Sequence, residues 1–162
     1  MDPVRSSLVA GVAATAVLTA FLLLAGVVFD GTTLLVLATF TSLCAVGGPP
    51  YCELGSPTAT ALTAVWFLAL FALAWPLLFA GFTWGLPGES GPTHGVVFGL
   101  VLSTGYLAAA LVGLGPASQV ARPDVGLLLV TVLAYVLYGV VLGGAYDYLA
   151  EHRTLLVVEA GP

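Results

Sequence analysis

LVAGVAATAVLTAFLLLAGVVF, residues 8–29, continues for 22 residues without a charge. At about 1.5 Å of rise per helical residue, roughly 20 apolar residues cross a hydrocarbon core of about 30 Å. The stretch is longer than the roughly 7–15-residue apolar region of a cleaved signal peptide, and Asp30-Gly31 follows it instead of a small-x-small cleavage site. It therefore predicts a helix that stays in the membrane as an anchor.

Composition extends this interpretation to the whole chain. Hydrophobic residues make up 60% of the sequence and charged residues 7%, with a mean hydropathy of +1.12. Soluble domains contain roughly 45–50% apolar and about 25% charged residues. We therefore predict an all-α, polytopic transmembrane helical bundle in one domain, residues 1–162, placed in the cell membrane as a multi-pass protein. Its four predicted spans are residues 8–29, 58–84, 93–115 and 124–150.

Residues 31–48 are the ambiguous part of the topology. The segment is apolar at many positions, but five Thr or Ser residues and three Gly dilute it, and it is short for a span. We predict a short interfacial or re-entrant helix, with a fifth span as the alternative. Gly47-Gly48-Pro49-Pro50 ends the segment, and residues 151–162 form a short C-terminal tail.

Small residues recur at four-residue spacing in the last two predicted spans. They are Gly95, Gly99 and Ser103 in one span and Gly139 and Gly143 in the next. Lipid gives helices no hydrophobic reason to associate, so small residues that let two backbones approach closely favour packing there. These positions predict the helix-packing faces of a tight bundle.

Tyrosines and one proline mark further polar positions inside the spans. Tyr135 and Tyr138 lie deep in the last span, where each hydroxyl needs a partner, and they define a possible polar seam or cavity; core packing is the alternative. Pro76 has no amide hydrogen and is predicted to kink its helix, freeing carbonyls near Ala72 that a neighbour or water must satisfy. A packing kink and a functional hinge are both compatible with this position.

Catalytic and cofactor-binding patterns are not recognisable in the sequence. No ionisable residue falls in the middle of a span, which argues against a proton pump, a voltage sensor or an ion-coupled carrier. His94 and His152 are the only histidines, and both are expected to be solvated at helix ends near Glu89, Asp147 and Glu151. They support a haem or metal carrier only weakly, because their spacing supplies no convergent ligand set. We expect no enzyme activity, no cofactor and no metal.

Charge is sparse and negative. The chain carries 3 Lys and Arg residues against 8 Asp and Glu, a net charge of −5, and it contains no Lys, Ile or Asn. A GC-rich genome explains the missing residue types, and lysine-free acidity fits the high-salt cytoplasm of a halophilic archaeon. Three cations provide no surface for nucleic acid.

A family resemblance rests on the small and aromatic residues of the last two spans. Gly95-Val-Val-Phe-Gly99-Leu-Val-Leu, the loop after Gly113-Leu-Gly, and the segment AYVLYGVVLGGAYDY at residues 134–148 resemble a family of small, uncharacterised four-helix integral membrane proteins common in halophilic archaea. The resemblance covers roughly residues 8–150. It implies the four-helix fold and a haloarchaeal membrane, and it implies no activity.

Two functional hypotheses follow. The first is a structural or interaction subunit that packs by its small-residue faces against itself or against a larger membrane complex, with the lipid bilayer as its surroundings. The second is a small-molecule passage or binding protein that uses the Thr, Ser and Tyr seam. A haem or metal carrier is a weaker third.

The two cysteines provide a test of topology. Cys44 and Cys52 flank the Gly-Gly-Pro-Pro turn, which can bring them to the roughly 5–6 Å Cα separation of a disulfide, although two unpaired thiols are the alternative. Oxidation would place this region outside the cell and both termini in the cytoplasm. After reduction, a membrane-impermeant thiol reagent should label Cys52 in intact cells. Labelling confined to inverted vesicles would contradict the four-span topology.

Overall fold

Four helices make up the part of the chain that the computed structural model describes, residues 3–28, 57–85, 90–111 and 125–150. No strand occurs within these ranges, so the all-helical fold class is confirmed for them. The predicted interfacial segment 31–48, both cysteines Cys44 and Cys52, and the tail 151–162 lie outside the described residues. The helices are α1 (Pro3–Val28), α2 (residues 57–85), α3 (Gly91–Leu111) and α4 (Val125–Ala150).

The starts of α1 and α3 lie earlier in the chain than the hydropathy pattern indicates. Helix α1 begins at Pro3, because proline fits the first helical position, where its missing amide hydrogen has no helical acceptor to lose. Helix α3 begins at Gly91, directly after Ser90. The Ser90 carbonyl accepts a hydrogen bond from the His94 amide at 3.2 Å. The Ser90 hydroxyl oxygen accepts one from the Thr93 hydroxyl at 3.0 Å. These bonds start the helix two residues before the predicted boundary at residue 93.

Helix α2 changes its hydrogen-bond register in the middle. Its first part is α-helical (Pro57–Leu68), the next six residues are π-helical (Ala69–Ala74), and α-helix resumes over Trp75–Gly85. In the π-helical turn the Trp75 amide donates to the Leu70 carbonyl, five residues back instead of four. The turn directly precedes Pro76, so the interruption predicted at this proline takes the form of an extra residue in the turn before it.

Helix α4 makes the most extensive packing contacts of the described helices. It packs along α3 and along α1, while α1 also packs against the π-helical turn and the last part of α2. Neighbouring helices are antiparallel: Gly11 of α1 meets Pro76 of α2, and residues 12–23 of α1 face residues 65–73 of α2 across a groove. The C-terminal end of α1 and the N-terminal end of α2 therefore lie at the same end of the bundle.

Three of the described helices are long and apolar enough to cross a membrane. They cover Val4–Val28, Pro57–Thr83 and Leu128–Ala150. Only 28% to 39% of the residues in their most apolar windows are buried within the chain. The remaining apolar side chains need a hydrocarbon environment, because water would have to hydrate them at roughly 25 cal/mol per Å².

Backbone contact between α3 and α4 depends on glycine. A Cβ atom added at Gly95 would overlap the carbonyl of Gly139, and one added at Gly139 would overlap the carbonyl of Gly95. Gly143 stands in the same relation to Gly91, and a Cβ on Gly99 would overlap the Tyr135 carbonyl. Ser103 is buried one turn further along α3, with its hydroxyl donating to the Leu100 carbonyl at 2.8 Å. The small-residue faces therefore meet each other inside the chain.

A pair of adjacent glycines in α4 tests this packing. Gly143→Ala should lower stability by at least 1–3 kcal/mol, since the added methyl group would strike the backbone of α3 at Gly91. The control is Gly144→Ala, whose methyl group would meet only a Pro92 side-chain atom at an ordinary 3.9 Å. Alanine raises helix propensity there by about 1 kcal/mol relative to glycine. Thermal melting in detergent measures both, and equal melting temperatures would contradict the interface.

Candidate functional site

The tyrosine seam of α4 centres on one long-range hydrogen bond. Tyr138, fully buried, donates its hydroxyl to the carbonyl of Phe71 in the π-helical turn of α2 at 2.6 Å. The two rings also meet edge to face, with centroids 5.1 Å apart and planes at 86°, a favourable arrangement for aromatic quadrupoles. The contact joins residues 67 positions apart and ties α2 to α4.

The Phe71 carbonyl needs this external donor because of Pro76. A π-helical register pairs each carbonyl with the amide five residues later, and for Phe71 that residue is Pro76, which has no amide hydrogen. An unpaired carbonyl in a hydrocarbon interior costs several kcal/mol. The sequence predicted freed carbonyls near Ala72, four residues before the proline. The π-helical turn moves the affected carbonyl back by one residue, and the Tyr138 hydroxyl satisfies it.

A second hydrogen bond links α3 to α4 on the same seam. This bond joins the hydroxyl groups of Tyr106 and Thr131, and Thr131 is buried. The Tyr135 ring lies between the two bonds, 6.1 Å from Tyr106 on one side and 6.1 Å from Phe71 on the other. Tyr135 and Tyr138 therefore lie in one aromatic cluster, in which the Tyr138 and Tyr106 hydroxyls form hydrogen bonds between helices of the same chain.

A second aromatic cluster closes the other end of the bundle. The ring of Phe79 in α2 lies 5.4 Å from Phe98 in α3 and 5.7 Å from Tyr146 in α4, the latter at 90°. Phe82 contacts Phe98 at 5.5 Å. This cluster joins α2, α3 and α4 on the C-terminal side of Pro76. Aromatic rings therefore contact α2 on both sides of the proline.

Histidine geometry departs from the sequence expectation. His94 is only 8% exposed, so the expectation of a solvated imidazole was wrong for this residue. The reason is the early start of α3, which carries His94 into the second half of the first turn, on the face that holds Gly91 and Gly95 against α4. His152, Glu89 and Glu151 lie outside the described residues. Within residues that are described, no three His, Cys, Asp or Glu side chains form a group able to hold a metal ion.

A groove separates α1 from α2 on the side of α1's C-terminal end. It has a volume of about 800 Å³ and is lined almost entirely by apolar atoms of residues 12–23 and 65–73. Three residues of the π-helical turn, Ala69, Ala72 and Leu73, form part of its wall. The groove is open at its side, where the helices face the surrounding lipid.

Sequence reasoning missed the Phe71 carbonyl, the Tyr106–Thr131 bond and the groove. Pro76 was the available signal for the first, since a proline in a membrane helix always leaves one carbonyl without its donor. Tyr106 and Thr131 carried a signal only as buried hydroxyls in apolar helices. Nothing in the spacing of α1 and α2 indicates how far apart they lie.

Comparison with known proteins identifies a family match. A family model described as "Family of unknown function (DUF6789)" matches residues 1–157 of the 162 residues. Neither the curated proteins nor the solved structures contain a significant match.

Tyr138→Phe should destabilise the bundle by roughly 1–2 kcal/mol, because it removes the hydroxyl that donates to the buried Phe71 carbonyl. Tyr148→Phe is the matched control, since Tyr148 is 85% exposed. Thermal melting in detergent measures both variants.

A double-mutant cycle separates the hydrogen bond from general packing. Pro76→Ala returns a backbone amide within reach of the Phe71 carbonyl, so Tyr138→Phe should cost less in that background than in the wild type. Equal costs in the two backgrounds would show that Tyr138 stabilises α2 only through its ring.

Proposed function

We propose that this chain, which belongs to the family of unknown function DUF6789 by a match over residues 1–157, is a non-catalytic structural or interaction subunit of a membrane. One observation carries the proposal: the polar groups of the seam serve the bundle itself. Tyr138 binds the Phe71 carbonyl and Tyr106 binds Thr131, so these groups hold helices together. The glycines of α3 and α4 likewise pack against each other. Partners are then met through the outer apolar faces.

A four-span topology is part of the proposal. Three helices qualify as spans by length and composition, whereas α3 begins with the polar or small residues of Gly91-Pro92-Thr93-His94. Its 21 residues nevertheless extend for about 31 Å, enough to cross the hydrocarbon core, and it packs along α4. Helices α1 and α2 are antiparallel, which supports an even number of crossings between the N-terminus and Gly85. This favours an interfacial or re-entrant segment over a fifth span.

The proposal also includes the orientation of the chain in the membrane and its source organism. With four spans, Arg5 and Arg153 lie on one side and Arg122 on the other, and the positive-inside rule places both termini in the cytoplasm of a multi-pass cell-membrane protein. A net charge of −5 without lysine supports a halophilic archaeal source. Absence of nucleic-acid binding and of enzyme activity belongs to the same proposal.

Passage of a small molecule through the seam is less well supported. Such a path needs polar groups that can exchange partners with a solute. Tyr138 has 0% exposure and a short hydrogen bond to the backbone, and α3 and α4 are in backbone contact beside it. The groove between α1 and α2 is elsewhere and apolar.

Purification of the tagged full-length chain from its native membranes in mild detergent tests the proposal. We expect stoichiometric partner subunits or a defined homo-oligomer, retained by Gly144→Ala and lost by Gly143→Ala, because only the latter disrupts the bundle. In proteoliposomes, wild-type protein should not raise the permeability to small solutes. A partner-free monomer whose solute flux falls in Tyr138→Phe would overturn the structural function in favour of passage.

A further inference from the structure

We draw no further inference here: the strongest candidate, the apolar groove between α1 and α2, carries nothing, because its lining spans the middle of both apolar helices and nothing in the structure shows what covers it.

Discussion

Close backbone contact between α3 and α4 is the constraint on which the remaining structure depends. In a bilayer, helices gain nothing by removing apolar surface from lipid, so association requires many dispersion contacts at short range. Gly95 against Gly139 and Gly91 against Gly143 provide that range, because neither backbone has a side chain in the way. Once paired, the two helices form a surface on which α1 packs along α4, and α2 packs against α1.

The attachment of α2 illustrates how a local defect is used for long-range packing. Pro76 removes one amide hydrogen, the π-helical turn transfers the loss to Phe71, and Tyr138 supplies the missing donor from another helix. In water the carbonyl would find a solvent partner at little cost. In hydrocarbon it has none, so the tyrosine bond becomes a condition for placing a proline there. Gly11 is the complementary adaptation, since only a residue without a side chain leaves room for the proline ring.

These features also separate the inner and outer surfaces of the protein. Glycines of α3 and α4 pack against each other inside the bundle, and the hydroxyls of Tyr106 and Tyr138 form hydrogen bonds between helices. Val and Leu side chains on the outside of α1 and α2 remain exposed, as does the groove between these helices. Interaction with lipid or with other membrane proteins therefore concerns α1 and α2 more than the aromatic seam.

Sequence alone determined the class of the protein and the composition of its packing faces. Uncharged stretches of about 20 residues have one stable outcome in a bilayer, so the apolar helices could be located within a few residues, and the i, i+4 glycines could be recognised within single helices. Only the tertiary structure decided that the Gly95 face meets the Gly139 face, that His94 is buried, and that Tyr138 reaches Phe71. The physical reason is that hydropathy and periodicity describe one helix at a time. Partner choice depends on distances between helices, and one extra residue in a π-helical turn changes which carbonyl needs a donor.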